Sequence, residues 1–187
     1  MKKNRYLLSE KMVIIINGKG GVGKDTLCNA SKNYFFSEMV SAITPIKELA
    51  KSCGWKGDKS AKSRKFLSDL KRLLIEYNDL PNNYLISKYH DFLMSTNDIL
   101  FVQIRESDQI EAFCEKLTTH YFTLLVKSNR NNFEKKQLGN ISDDAVDDYS
   151  YDYTYWNDAP LDGVGDSFFS FLVNTFKEEG VLVNEKN

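Results

Sequence analysis

The ten residues Asn17-Gly-Lys-Gly-Gly-Val-Gly-Lys-Asp-Thr26 carry the clearest chemical signal in the chain. Glycines 18, 20, 21 and 23 permit tight turns that aim backbone N–H groups inward, and an anion is what such a nest accepts. Lys24 follows where an ammonium can reach terminal phosphates and offset their charge during transfer. The usual pattern, G-x-x-x-x-G-K-[ST], places a hydroxyl after the lysine. Asp25 stands there instead, and Thr26 supplies the hydroxyl one place later. Asp25 has two readings. Its carboxylate can bind Mg2+ or one of the ion's waters, since magnesium takes oxygen ligands and keeps several waters. Alternatively, it sits in a first helical turn and complements the positive end of the helix dipole.

A second chemical candidate is Arg105, which follows the apolar run Ile99–Ile104 and is followed by Glu106. A guanidinium fork suits a phosphate better than a lysine does. Glu106 can orient Arg105 or hold a metal-bound water; ordinary pairing of the two residues is the plainer alternative. Charge is unevenly spread: residues 47–72 hold nine Lys or Arg against three acids, while residues 142–166 hold eight Asp and no base. Such runs are ordinarily solvated surface, but the basic one gains interest if it lies beside a phosphate site. His90 and His120 have no nucleophile nearby in sequence and are assigned to structure. No H-E-x-x-H, paired C-x-x-C or other metal-cage spacing occurs.

Elements must bring these residues together. Met12–Asn17 reads as a strand buried on both faces, the glycine loop follows, and Leu27, Ser31, Tyr34 and Phe35 recur at helical spacing. Further strands are expected at 38–43, 99–104, 121–126 and 151–156. Helices are expected from Thr44-Pro45 as cap and first turn, over 60–77 with an apolar stripe of Leu67, Leu70, Leu74 and Tyr77, over 82–95, after a Ser107 cap, and after Pro160. Residues 127–150 read as a polar loop with one helical turn. The aromatic run Tyr149–Trp156 alternates as a core strand would. Alternating strands and helices predict a parallel sheet with right-handed crossovers and its ligand site at the carboxyl ends of the strands. The glycine loop, Arg105-Glu106 and the segment after Val126 then share one rim.

A chain of 187 residues fits one α/β domain. A net charge of −1 gives no global case for nucleic acid or a membrane surface. The three cysteines, Cys28, Cys53 and Cys114, fall in apolar helical patterns and are expected to be reduced core thiols. With no signal-peptide run and no membrane-length segment, the expected compartment is the cytoplasm.

The loop resembles those of two P-loop groups. As Lys19-Gly-Gly-Val-Gly-Lys24 it is similar to the deviant loop of partitioning and metal-delivery ATPases, K-G-G-V-G-K-T-T, which would imply dimerisation on ATP with Lys19 reaching the partner's nucleotide. Asp25 departs from that pattern, and Gln103-Ile-Arg-Glu106 lacks its D-x-x-G switch. Read through Gly-Lys-Asp-Thr26, the loop resembles the nucleoside monophosphate kinases, in particular phage deoxynucleoside monophosphate kinases and animal-type phosphomevalonate kinases. Thr44–Ala50 with Gly54-Trp55, Phe101–Glu106 and Tyr151–Asp158 resemble further pieces of that group, although Ala159-Pro160 replaces the glycine that usually follows Asn-Asp.

The kinase resemblance implies one P-loop NTPase domain over 1–187. Its five-stranded parallel sheet would be flanked by helices, with a helical acceptor region at about 44–97 and a lid at about 127–150. It implies ATP and Mg2+, a small phosphorylated acceptor, no nucleic-acid polymer, no membrane, and a monomer or homodimer. Residues Gly18, Lys19, Gly20, Gly21, Val22, Gly23, Lys24, Asp25 and Thr26 would bind ATP, with Asp25 and Thr26 at the metal. Arg64 (with Lys62 beside it), Arg105 and Glu106 would bind the acceptor. Lys24, Arg105 and the lid residue Arg130 would act on the transferring group.

Overall fold

The computed structural model describes residues 5–129, 145–160, 162–181 and 183–185. The central sheet has β2 (Met12–Asn17), β3 (Ser37–Ser41), β4 (Ile99–Gln103), β5 (His120–Lys127) and β6 (Tyr153–Trp156), ordered β3-β4-β2-β5-β6 and parallel throughout. Strand β2 lies at the centre because all six of its residues are apolar or satisfied within the fold, and all six are buried. Alternate residues serve opposite faces. Met12, Ile14 and Ile16 enter one core with Leu27, Cys28, Phe168, Leu172 and Phe176, while Val13 and Ile15 enter the other with Leu85, Tyr89, Phe92 and Phe113. The first face is covered by α1 (Lys24–Ser31) and α6 (Val164–Glu178), the second chiefly by α4 (Leu80–Met94) and α5 (Ser107–Cys114).

The five expected strands and their parallel pairing are present, with shifted ends. Strand β3 stops at Ser41, and β6 begins at Tyr153. Thr44 is not a cap: α2 (Thr44–Ser52) starts on it behind Ile43, with Pro45 in the first turn. Ser107 likewise opens α5 rather than capping it. Ser60 does cap α3 (Ala61–Asn78), its side chain accepting from Ser63 N. The stripe expected on α3 is not a core stripe. No residue of α3 is buried, and Leu73 and Tyr77 are 54% and 83% exposed. The helix lies against α2 and α4 and not on the sheet, so its apolar side chains are only partly covered. The thiol expectation is also corrected: Cys28 is buried, but Cys53 is exposed at the end of α2 and Cys114 is half-buried.

Sequence patterning gave no sign of a separate two-stranded sheet, in which β1 (Tyr6–Leu8) pairs antiparallel with β7 (Val183–Glu185). His120 is the first residue of β5, where it lies 3.2 Å from Glu10 at the surface. Tyr155 of the aromatic run is buried, but Trp156 faces outward with Lys127 over its ring. No helix among the described residues is long and apolar enough to cross a membrane.

Candidate active site

Connections from β2 and β5, neighbours in the sheet, leave in opposite directions, toward β3 and β6 respectively. Such a reversal opens a crevice beyond the strand ends, and the glycine loop lies there. Lys19 and Val22 face Val126, Lys127, Ser128 and Asp147 across it.

Two glycines are required by space as well as conformation. A Cβ on Gly18 (φ +145°) would stand 2.4 Å from Val126 O, and one on Gly23 (φ +96°) would stand 2.4 Å from Asn157 Nδ2. The loop is therefore pressed against β5 and against the turn after β6. Asn157 is buried, and its amide donates to Val22 O at 2.8 Å while its backbone N–H donates to Lys127 O at 2.7 Å. Asn17 anchors the other end. Its Oδ1 accepts from Gly18 N (2.8 Å), and its Nδ2 donates to Tyr151 Oη (2.6 Å) and to Arg105 O (3.3 Å). Tyr151 in turn donates to Val146 O in the 3-10 turn Ala145–Asp148. Burial pushes the Tyr151 phenol above its ordinary range, keeping the hydroxyl a donor. One buried asparagine thus joins the loop, the Arg105 rim and the turn bearing Asp147.

Lys24 heads α1 and folds its ammonium over the loop, donating to Gly18 O and to Lys19 O at 3.1 Å. Those carbonyls hold the charge at the centre of the nest. Asp25 lies in the first turn of α1, so the dipole reading matches its position. Its carboxylate also has a specific partner: Gln103 Nε2, at the end of β4, donates to Oδ1 at 2.6 Å. Thr26 is exposed beside it. One carboxylate, one hydroxyl and the phosphate oxygens of a nucleotide form a hard-oxygen donor set suited to Mg2+. No group of three or more His, Cys, Asp or Glu side chains that could hold a metal ion occurs among the described residues.

Lys19 pairs with Asp147 at 2.9 Å, and Lys127 stands 3.6 Å from the same carboxylate. The hydrogen bond and charge of Lys19, with Lys127 behind it, hold Asp147 below its ordinary carboxylate value.

Arg105 lies half-buried on the same rim. Glu106 is taken by Lys71 of α3 at 2.5 Å, both side chains being largely covered. Lys71 is one of the rim residues that sequence reading missed, with Gln103, Asp147 and Asn157. For Lys71 a signal existed, since Arg64 stands roughly two turns before it on one side of α3. Arg64 Nε donates to Lys59 O at 3.2 Å, tying it to the start of its own helix. Lys62 is exposed. Arg130 lies outside the described residues, as does most of the expected lid.

No family model matches the chain, and none of the curated proteins matches it in sequence. Solved structures do match. A putative kinase from Chloroflexus aurantiacus aligns at 9% identity and TM-score 0.51, covering 89% of this chain and 97% of that one. A sugar kinase from Janibacter aligns at 11% identity and TM-score 0.48 over 87% and 94%, and a shikimate kinase from Bacteroides thetaiotaomicron at 12% and 0.47 over 89% and 98%. Likeness at such identities concerns the fold. With a parallel sheet, a strand-to-glycine-loop-to-helix unit and a lysine at the helix head, the chain has the α/β fold of the P-loop NTPases.

Proposed function

We propose that the protein is an ATP-dependent small-molecule kinase, one domain in extent, with its acceptor region at about 44–97 and a lid at about 127–150. It transfers the γ-phosphoryl of ATP to the phosphate of a nucleoside monophosphate, deoxynucleoside monophosphate or similar phosphorylated acceptor. An acceptor phosphate oxygen forms the new bond to the γ-phosphorus, the bond to the β-phosphate oxygen breaks, and ADP leaves. The observation that carries this reading is the Lys71–Glu106 contact, which brings the basic helix α3 to the rim shared by the phosphate loop and Arg105.

Phosphoryl transfer asks a protein mainly for positioning and charge stabilisation. The loop backbone from Gly18 to Gly23 and the N-terminus of α1 cradle the phosphates. Lys24 exchanges its carbonyl partners for phosphate oxygens and offsets charge on the transferring group. Asp25 and Thr26 would hold Mg2+ against the nucleotide, and the ion when bound offsets charge on the β- and γ-phosphates. Arg105, Arg64 and Lys71 hold the acceptor anion, Glu106 orients the cations beside it, and Arg130 acts from the lid.

A panel of nucleoside monophosphates and other small phosphates, scored for acceptor-dependent ADP formation, tests the reading. The expected result is one acceptor class that stimulates turnover, lost by at least ~100-fold in Lys24→Ala with the fold intact. No acceptor stimulation, together with ATP-driven dimerisation that Lys19→Ala removes, would overturn it in favour of a partitioning-type switch ATPase. Lys19 is engaged within its own chain by Asp147, which does not favour that alternative.

A further inference from the structure

P-loop NTPases hold their metal with two protein groups: a hydroxyl directly after the loop lysine and an aspartate on a neighbouring strand. Here the position after Lys24 is an aspartate, and the end of β4, next to β2, is Gln103. The two side chains touch, with Gln103 Nε2 donating to Asp25 Oδ1 at 2.6 Å across 78 residues of sequence. The same Gln103 Nε2 also donates to Met39 Sδ on β3, at 3.2 Å. The Asp25 carboxylate is thereby drawn to the end of β4, and Oδ2 has no hydrogen-bond partner among the described residues.

We infer that the metal-site acid of this protein has changed places: Asp25 on the loop supplies the carboxylate for Mg2+, and Gln103 on the strand is its positioning residue. A neutral amide at the strand end is then a requirement. A second carboxylate 2.6 Å from the first would repel it, whereas an amide N–H orients one oxygen and leaves the other for the ion or its water. Thr26 keeps the hydroxyl of the pair. This inference rests on the proposed nucleotide site but not on turnover, so it is separable from the kinase reading.

The test is an exchange of the two side chains, read by equilibrium binding of a non-hydrolysable ATP analogue in Mg2+ and in EDTA. Wild-type protein is expected to bind at least tenfold more tightly with the ion. Asp25→Ser should lose most of that increment. Gln103→Asp should also weaken it, by crowding two carboxylates, and Asp25→Ser/Gln103→Asp should recover it to within a few fold. Asp25→Ser/Gln103→Asn, which has no acid at either place, should not recover. Thermal melts of each variant separate loss of the site from loss of fold. The inference is overturned if the exchanged protein binds no better than Asp25→Ser, if Asp25→Ser keeps the full metal increment, or if wild type shows none. Recovery of binding without acceptor-stimulated turnover in any form would remove the kinase reading and leave the metal-site exchange standing.

Discussion

Gly23→Ala is the most informative single perturbation of the loop, because two separable costs meet there. The first is conformational: Gly23 holds φ +96°, ψ 15°, and an L-residue in the left-handed region costs about 1–2 kcal/mol. The second is steric. The new Cβ would fall 2.4 Å from Asn157 Nδ2, far inside contact distance, and the amide is the part that can move. Moving it breaks the 2.8 Å bond to Val22 O in a buried setting, and stranding a buried acceptor costs about 1–3 kcal/mol. The sum is about 2–5 kcal/mol. Asn157→Ala alone should cost about 1–2 kcal/mol, the low part of that range, because Asn157 Oδ1 is itself buried without a partner among the described residues and its removal is a relief. Once Asn157 is alanine, Gly23→Ala should cost only its conformational share. Urea unfolding of the two single variants and the double variant measures this, at constant m-value. The predicted coupling is about 1–3 kcal/mol, the share that disappears with Asn157, and the double variant is more stable than the sum implies. Additivity to within about 0.5 kcal/mol would refute the argument that Asn157 is what Gly23 makes room for.

Under the proposed kinase reading, Lys71→Met should raise the acceptor KM by about tenfold, leave the ATP KM unchanged, and be detectable in steady-state kinetics with either substrate varied. Asp147 gives a pH prediction. Its folded-state value lies below the ordinary 3.8, so its contribution to stability is present above that value and is lost as pH falls through the lower folded one. Asp147→Asn should therefore lower the melting temperature slightly at neutral pH and not in strong acid; the pair is partly exposed, so the effect should be below ~0.5 kcal/mol and fade in high salt. Thiol labelling of the native protein should modify Cys53 first, while Cys28, whose thiol burial pushes well above its ordinary range, should react only on unfolding.

The parts legible in sequence were those governed by neighbours in the chain. An unbroken run at Met12–Asn17 has one stable use, a doubly covered strand. The glycine spacing with Lys24 is a local geometric demand, and it predicted the loop and the head of α1. What sequence could not show were pairings between distant residues: Asp25 with Gln103, Lys19 with Asp147, Glu106 with Lys71. Each depends on where strand ends fall after the sheet has assembled. Periodicity over 60–77 correctly predicted a helix but not its degree of cover, because an apolar stripe packs as well on neighbouring helices as on a sheet. The three-residue strands β1 and β7 are too short to carry a pattern. Asn17 and Asn157, two buried asparagines that hold the loop in shape, lie within stretches singled out in the sequence, but nothing there showed that their amides would brace the loop backbone.

The position of β2 imposes an order of events on synthesis. It is the first strand of the central sheet to be made, yet both its neighbours, pairing Met12 with Ile99 and with His120, come much later in the chain. The surfaces that mould the glycine loop come later still, with Val126 behind Gly18 and Asn157 beside Gly23. A nascent chain that has already produced the loop therefore cannot yet present it in binding form, and such long-range closure is intrinsically slow. Ligand affinity would arise only when the turn after β6 has docked. Under the proposed reading, nucleotide capture becomes a stopwatch for completion of the fold: in refolding, strand formation seen by circular dichroism should precede it, and a chain cut before Asn157 should not acquire it.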